Sequence, residues 1–349
     1  MRIGFQAGAI NERGMSVALH DYANAAQSIL GHECFIFYDE VASDPAVVDK
    51  FRSHLNLISL TGSTDHRRTT EPYQLDFCYY IRDGRQRPLS IAAERSGVHA
   101  VFRHFEPHGD VYAYVSDWLA HWMSADAAPA VPHIVDLPAP SDDLRAELSL
   151  PKDAFVVGRY GGFDQFNVPF AQLAVIEALS ARSNIHFVFV NTEKFVDHPR
   201  ALFLPPIVQP EKKVDFIAAC DVGLNAKKIG ESFGLANAEF MTLGKPVFSW
   251  AGGMDRNHLH LSPRAEWNYR TKKDLVRLLT DYELSDIDSD LARTAMEAYK
   301  PAPVMARFED VFLSGRYSAQ TLKRRRLLEM TRSVEEKILR AKFKIWKNV

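Results

Sequence analysis

Cysteine is scarce in this chain, whose 349 residues include only Cys34, Cys78 and Cys220. Their odd number and wide spacing argue against a disulfide framework and a clustered zinc site, and they favour a reducing compartment. No apolar run approaches the roughly 18 to 20 residues that a membrane-spanning helix needs. The first residues are typical of a strand and not of a secretory signal. We therefore expect a cytoplasmic protein.

The sequence also lacks an excess of charge. It carries 42 Lys and Arg against 44 Asp and Glu, a formal net charge of -2. A general nucleic-acid binder needs a basic surface, so nucleic acid is not an expected partner. A hydrophobic content of 46% and a charged content of 25% are typical of a soluble globular protein. A chain of 349 residues is too long for one ordinary core, which predicts two domains.

Strand and helix patterns alternate along both halves of the chain, which favours parallel sheets covered by helices. In the first half we predict strands at 2–5, 33–38, 55–60, 75–81 and 99–102, a helix at 16–30, and a strand followed by a helix within 111–122. In the second half we predict strands at 155–158, 185–191, 222–224 and 246–250, and helices at 169–180, 212–219, 236–243 and 272–279. The fold class is therefore α/β, with two Rossmann-like doubly wound domains.

The most informative stretch lies between residues 230 and 247. Two carboxylates, Glu231 and Glu239, stand eight residues apart, the first in a loop and the second inside a predicted helix. Positions eight apart on a helix return to nearly the same face. The backbone N–H groups at the start of this helix suit a phosphate, and carboxylates can hold sugar and ribose hydroxyls. The pattern predicts a nucleotide-sugar site.

This stretch resembles the Glu-x7-Glu motif of retaining GT-B glycosyltransferases of the family four type, with Gly244–Val247 matching the strand that follows it there. The resemblance implies two Rossmann-like domains that face across a cleft, and sugar transfer with retention from a nucleotide diphosphate sugar. It implies that Glu231 contacts the transferred sugar and that Glu239 holds the donor ribose. The backbone amides implied to bind phosphate are those of Ser232, Phe233, Gly234 and Leu235.

The turn after the first strand of the second domain offers further donor-binding candidates. Arg159 is a fixed cation with several donors for a diphosphate, and Gly161–Gly162 lets the backbone approach a ligand closely. Retaining GT-B enzymes often have a lysine about six residues after this arginine, whereas this sequence has Gln165 near that position. We expect Lys227 and Lys228 to replace the missing cation. The alternative is a pair of solvated lysines on a loop.

Two loops of the first domain hold candidate residues. Gly14 permits a tight turn before a helix with Ser16 as its N-cap, and the resemblance implies that this loop approaches the donor phosphates. The alternative is an ordinary strand–helix turn. His104 and His108 follow a strand, and histidine can donate to a sugar hydroxyl or pass a proton. The resemblance places one of them near the donor sugar without deciding which. The spacing of His104 and His108 would suit two metal ligands on one turn of a helix, but Pro107 disfavours a helix there.

Residues 323–349 differ from the rest of the chain, since they carry ten Lys and Arg against three Glu, interleaved with apolar residues. A basic amphipathic helix can lie on an anionic membrane, so peripheral membrane contact is one prediction. The other is a helix that packs on the first domain with its charges in water. The predicted domains are then 1–140 on the acceptor side, 141–304 for the nucleotide-sugar donor, and 305–349 as a crossing helix and basic tail.

Together these features predict a glycosyltransferase that moves a hexosyl or related sugar to a glycan or lipid-linked acceptor. Cations and the helix dipole near Ser232 would stabilise the leaving phosphate without a metal or other cofactor. An Asp-x-Asp pattern occurs in Asp286–Asp290, which is typical of a solvated turn. Asp255–His258 follows another predicted strand and is expected near the donor base or the acceptor. The alternatives are a nucleotide-sugar epimerase, an inverting transferase with a base such as His108 or Asp110, a nucleotide-sugar binding protein without turnover, and a membrane-surface adaptor.

Overall fold

The computed structural model describes residues 1–11, 14–207, 209–323, 330–335, 337–338 and 341. The described residues divide into two compact units. Unit 1 comprises those of Met1–Ile134 and those from Ala298 to residue 323. Unit 2 comprises those of Val135–Glu297 and those from Met330 onwards.

Unit 1 is built on a six-stranded parallel sheet in the order β3-β2-β1-β4-β5-β6. Its strands are β1 (Arg2–Gly8), β2 (Glu33–Tyr38), β3 (Asn56–Ser59), β4 (Leu75–Arg82), β5 (Ala93–Ala100) and β6 (Val111–Tyr114). Its first four helices are α1 (Gly14–Ser28), α2 (Pro45–Arg52), α3 (His66–Thr70) and α4 (Asp117–Ser124). The central strands are almost continuously buried, because a parallel sheet has both faces covered.

Unit 2 repeats the same design with a second six-stranded parallel sheet, in the order β14-β12-β10-β7-β8-β9. Its strands are β7 (Phe155–Arg159), β8 (Ile185–Val190), β9 (Ala201–Leu204), β10 (Val222–Asn225), β11 (Gly230–Glu231), β12 (Val247–Trp250), β13 (Asp255–Arg256) and β14 (Asn268–Tyr269). Strands β11 and β13 pair with each other outside the main sheet. The helices are α5 (Leu144–Glu147), α6 (Ala171–Ala181), α7 (Pro210–Ala219), α8 (Leu235–Thr242), α9 (Asn257–Leu261), α10 (Lys272–Asp281) and α11 (Ser289–Met296).

Both sheets have the same topology when their strands are counted within each unit, namely third, second, first, fourth, fifth and sixth. This is the doubly wound order, in which the chain first builds one side of the sheet and then the other. The order in which strands are added reverses between β1 and β4 in unit 1, and between β7 and β10 in unit 2. The predicted α/β fold of two Rossmann-like doubly wound domains is confirmed.

After unit 2 the chain forms α12 (Pro301–Phe308) and a π-helical turn (Glu309–Leu313), which complete the core of unit 1. Phe308 and Phe312 are fully buried there. The ring of Phe308 stacks on Tyr22 of α1 at a centroid distance of 5.5 Å. The ring of Phe312 meets Tyr79 of β4 edge-on at 5.4 Å. This aromatic contact fixes the returning segment on the unit 1 sheet.

Several local predictions were wrong. The fifth strand was predicted at 99–102 but spans Ala93–Ala100, because the polar residues before His99 pair with β4 although they show no apolar pattern. Helix α1 begins at Gly14, so Ser16 lies inside the helix and is not its N-cap. The Ser16 hydroxyl instead accepts the N–H of Asn11 at 3.1 Å. The short strands β9 and β14 were not predicted at all.

Candidate functional site

Two loops meet at the point where the strand order of the unit 2 sheet reverses. One follows β7 and the other follows β10, the neighbouring strands at this point. The backbone N–H groups of Asn167 and Val168 both donate to the carbonyl oxygen of Ala226, at 3.1 and 3.0 Å. The side chain of Asn167 accepts the N–H of Lys228 at 2.7 Å. The two loops are therefore tied together at the carboxyl edge of the sheet, where ligands of doubly wound folds bind.

Arg159 is the last residue of β7, at this carboxyl edge of the sheet, and it is buried. Its guanidinium donates to the carbonyl oxygen of Asn191 at 2.9 Å, to the Thr192 hydroxyl at 2.5 Å and to the carbonyl oxygen of Gly162 at 2.8 Å. Burial lowers the pKa of this guanidinium to about 10. Arg159 therefore fastens the loop after β7 to the end of β8, and these contacts with backbone and hydroxyl oxygens occupy much of its donor capacity.

Gln165, which stands near the expected lysine, closes the turn that contains Gly161–Gly162. Its side-chain oxygen accepts the N–H of Gly162 at 3.3 Å. A Cβ atom on Gly162 would lie only 2.7 Å from the amide carbon of Gln165. The carbonyl oxygen of Gly161 accepts a hydrogen bond from the Asn191 side chain at 2.8 Å. Gly162 thus gives room to Gln165, and these two neutral hydrogen bonds fix the turn together with the one that Arg159 donates to Gly162.

Gly230 allows the motif to enter the short ladder between β11 and β13. Its φ of +83° lies in the left-handed region, and a Cβ atom there would lie 1.8 Å from the carbonyl oxygen of Asp255. Only glycine fits this position. The neighbouring Glu231 forms an ion pair with Lys227, in which Nζ lies 2.7 Å from Oε2. The two side chains are 21% and 22% exposed, so Glu231 is accessible without facing bulk solvent.

His258 forms a hydrogen bond with the backbone of Glu231. The imidazole is completely buried, and its Nδ1 accepts the N–H of Glu231 at 3.2 Å. Its Nε2 donates to the carbonyl oxygen of Trp250 at 2.9 Å, at the end of β12. Burial lowers the pKa of His258, so the neutral ring is the favoured form. The backbone at Glu231 is thereby linked to the carboxyl end of β12.

Helix α8 begins after Gly234, whose φ of +106° also lies in the left-handed region. The residues before it, Ser232 and Phe233, form the turn from β11 into the helix, and the Phe233 side chain is buried. The carbonyl oxygen of Phe233 accepts a hydrogen bond from the Asn257 side chain at 2.9 Å. The start of α8 at Leu235 therefore lies beside the Glu231 loop in a fixed orientation.

Glu239 lies one turn into α8 and is buried, with its side chain 8% exposed. It forms an ion pair with Lys213 of α7. The ammonium group of Lys213 also lies 5.9 Å from the ring centroid of Tyr160, in the loop after β7. Helix α8 is anchored by Asn237, whose side chain donates to the Ser249 hydroxyl at 2.8 Å and accepts from Asn225 at 3.0 Å. Glu239 is thus held by Lys213 of α7, on a helix that Asn237 ties to β10 and β12.

In unit 1, the structure places the predicted histidines in the loop between β5 and β6. The carbonyl oxygen of His104 accepts hydrogen bonds from the hydroxyls of Tyr112 and Tyr114, at 3.1 and 2.6 Å. Nδ1 of the half-buried His108 lies 2.7 Å from the carbonyl oxygen of Glu106, and burial lowers its pKa. Gly14 is the first residue of α1. The functional roles of His104, His108 and Gly14 remain predictions.

Within unit 2 the structure brings Arg159, Gly161–Gly162, Lys227, Lys228 and the motif residues to one edge of the sheet. Sequence reasoning missed Lys213, because its partner Glu239 lies 26 residues further along the chain and nothing in the local pattern singles it out. In the part of the chain that the structure describes, no group of three or more His, Cys, Asp or Glu side chains is arranged to hold a metal ion. Nor does that part contain a helix with the length and apolar character needed to span a bilayer.

Comparison by sequence finds no matching family model and no matching curated protein. Comparison by structure finds glycosyltransferases. Anabaena HepE, solved with UDP-glucose, matches with a TM-score of 0.67 at 16% identity, over 89% of this chain and 98% of HepE. A glycosyltransferase from Rickettsia africae matches with a TM-score of 0.62 at 14% identity, over 99% and 98% of the two chains. The chain has the GT-B fold. WaaG, a glycosyltransferase of lipopolysaccharide biosynthesis, shares this GT-B fold with a TM-score of 0.60 at 12% identity, over 89% of this chain and all 100% of WaaG.

Proposed function

We propose that this protein is a glycosyltransferase that moves a sugar from a nucleoside diphosphate sugar to a glycan or lipid-linked acceptor. One observation carries the proposal. The carboxyl edge of the unit 2 sheet gathers Lys227, Glu231, the start of α8 and the buried Glu239 at the point where the strand order reverses. A diphosphate, a sugar and a ribose need cations, backbone N–H groups and carboxylates, and this edge supplies all three.

Departure of the nucleoside diphosphate is the step that these groups assist. The ammonium group of Lys227 has three donors, and its ion pair with Glu231 uses one of them. The remaining donors and the N-terminal end of α8 would meet the negative charge that grows on the leaving phosphate. Glu231 would hold the transferred sugar near its reacting carbon. We propose that the reaction needs no metal ion, because fixed protein charges supply the stabilisation. We propose retention because the spacing of Glu231 and Glu239 resembles the motif of retaining enzymes.

Buried Glu239 is proposed to accept hydrogen bonds from the ribose hydroxyls of the donor. A ribose would then share its carboxylate with Lys213, whose ion pair keeps that carboxylate in position. Arg159 contributes by fastening the turn at Gly162. The structure of HepE with UDP-glucose makes UDP-glucose the natural first donor to test.

The test is a thermal-shift screen of UDP, UDP-glucose, ADP-glucose and GDP-mannose, followed by measurement of nucleoside diphosphate release. A ligand that binds only the folded state raises its melting temperature. We expect at least one donor to bind and to be turned over. Glu231→Gln should retain donor binding and lose turnover by about 100-fold or more. The matched control is Glu177→Gln, a surface glutamate whose ion pair with Lys272 has the same 2.7 Å separation.

A binding protein without turnover is the second candidate. The observation that favours it is the replacement of a second cation by Gln165, whose neutral side chain closes the turn above Arg159. Donor binding without release of nucleoside diphosphate, across a panel of glycan and lipid-linked acceptors, would support this candidate. If no nucleotide or nucleotide sugar raises the melting temperature, both candidates are wrong. Product stereochemistry, read from the anomeric NMR signals, tests retention.

We also propose that the basic C-terminal segment binds anionic membranes. Met330, Val334 and Ile338 are spaced four residues apart, each has helical backbone, and they are 67%, 56% and 50% exposed. The sequence from 323 to 349 adds ten Lys and Arg against three Glu, and each cation near an anionic surface contributes about 1 kcal/mol. The protein should sediment with vesicles that contain about 30% anionic lipid, less so at high salt, and much less as the double variant Val334→Asp, Ile338→Asp. Equal sedimentation of this variant would contradict the proposal.

A further inference from the structure

The buried imidazole of His258 suits a role that no catalytic motif predicts. Helix α9, which carries it, packs against α8, β11 and β13. Both glycines of the motif lie against this ring or its backbone. A Cβ atom on Gly230 would lie 3.1 Å from Cε1 of His258, and one on Gly234 would lie 3.0 Å from its Cβ. The loop that carries Glu231 is therefore seated directly on His258.

The hydrogen bonds of His258 define one tautomer. The N–H of Glu231 can only donate, so Nδ1 must offer its lone pair. The carbonyl oxygen of Trp250 can only accept, so Nε2 must carry the hydrogen. A doubly protonated ring would place an N–H group against the N–H of Glu231. The contact is therefore compatible only with the neutral ring.

We propose that His258 is a positioning residue for Glu231: its neutral ring fixes the backbone of the Glu231 loop to the end of β12, and a proton on Nδ1 releases that loop. The inference rests on the proposed function, because it assigns the support of a residue in the same site. Correct aim of the Glu231 carboxylate depends on the backbone that carries it. A displacement of about 1 Å can cost about 100-fold in rate.

Two charged neighbours shift the pKa of His258 in opposite directions, and burial has the largest effect on that pKa. Burial lowers the pKa of His258, the negative charge of Glu231 raises it and the positive charge of Lys227 lowers it. Strand β12 contributes no charged side chain. The charged side chains on the elements around the ring are Glu231 on β11, Lys227 before it, Asp255 and Arg256 on β13, and Glu239 on α8. Protonation is therefore expected only below the usual histidine pKa of about 6.5.

The test measures donor turnover between pH 5 and pH 8 for the wild type, His258→Ala and His258→Gln. Glutamine is neutral at every pH and carries one acceptor and one donor group. We expect His258→Ala to lower kcat by about 10- to 100-fold with little change in KM. His258→Gln should restore part of kcat and lose the acid limb that the wild type shows. The matched control is His260→Gln, which changes an exposed histidine two residues along the same helix and should keep the wild-type profile.

Two measurements separate the failure of this inference from the failure of the proposed function. If the wild type turns over a donor and His258→Gln keeps the same kcat and acid limb, the positioning role is wrong. If the wild type neither binds nor turns over a nucleotide sugar, the proposed function is wrong and the role falls with it. Should the variants not fold, ¹⁵N NMR of the wild-type histidines decides. An Nδ1–H tautomer, or titration of His258 at an unshifted pKa, overturns the inference.

Discussion

The two units share one strand order but use their polar residues differently. In unit 2, Lys227 and Glu231 form a partly exposed ion pair at the carboxyl edge of the sheet, and the buried Glu239 pairs with Lys213. In unit 1 two buried histidines, His99 and His133, lie in the aromatic core with α12. The shared topology therefore does not determine which unit carries out chemistry. The side chains at the sheet edge determine this, so function must be argued from the site.

The largest expected difference between the units concerns two glycines with positive φ. Gly230→Ala in unit 2 would meet the carbonyl oxygen of Asp255 at 1.8 Å, whereas Gly31→Ala in unit 1 would meet nothing within 4 Å. Both changes carry the left-handed backbone penalty of about 1–2 kcal/mol. Only Gly230→Ala adds a backbone clash, for a total of about 3 kcal/mol or more.

Hydrogen exchange of peptides from each unit measures this loss of stability locally. We expect faster exchange around β11 and β13 in Gly230→Ala, together with loss of donor turnover. In Gly31→Ala we expect a modest change restricted to unit 1, with turnover intact. Equal effects of the two substitutions would show that the β11–β13 ladder has no special steric demand.

The second prediction concerns acid. Burial lowers the pKa of His99 from 6.5 to about 4 and that of His133 well below its usual value. The unfolded chain therefore binds more protons than the folded one in this range. Stability is fully present above pH 6.5 and is lost as the pH falls towards 4, by roughly 3 kcal/mol for His99 alone. Unit 1, with two such rings, should lose protection before unit 2, whose one completely buried histidine among the described residues is His258.

His99→Gln checks this prediction because it removes the titrating group and keeps a side chain that can form a hydrogen bond with Tyr79. In the wild type the Tyr79 hydroxyl lies 2.6 Å from Nδ1 of His99. Urea unfolding of unit 1 is monitored by hydrogen exchange at pH 7 and pH 5. The free energy of unfolding should fall less between these pH values in the variant than in the wild type. The variant is also expected to be less stable at pH 7, since a packed ring is lost. An unchanged difference between the two pH values would exclude His99 as the source.

The smallest expected effect separates the two glutamates of unit 2. Glu239→Gln should raise the Kd for UDP about tenfold, or about 1.4 kcal/mol, because a hydrogen bond to a charged group becomes a neutral one. Its kcat at saturating donor should change little. Glu231→Gln should show the opposite pattern, with Kd kept and kcat lost. Calorimetry with UDP and initial rates with the donor distinguish the two, and a Glu239→Gln variant with unchanged Kd would contradict the ribose role.

Some elements followed directly from the sequence. The apolar run of β2 predicts Glu33–Tyr38, and the structure has the same limits. Two-residue β14 was missed because so few residues carry no period. Strand β9 was also missed, although β10 and β12 have the same length of four residues and were predicted. The motif at Gly230–Glu239 could be recognised because its glycines and carboxylates are local in sequence. Lys213 gave no comparable signal, since its partner lies 26 residues away. For His258 the sequence predicted only a place near the donor base or the acceptor, and its contact with Glu231, 27 residues away, was not predicted.

The sequence by itself determined that apolar strands alternate with helices, and that two glutamates flank a helix start. Both facts follow from local preference and short-range spacing. Only the tertiary structure decided that Arg159 fastens residues 31 to 33 positions away, and that His258 and Lys213 hold the two glutamates. Such contacts depend on the order in which strands pair in the sheet, because that order brings distant loops to a common edge.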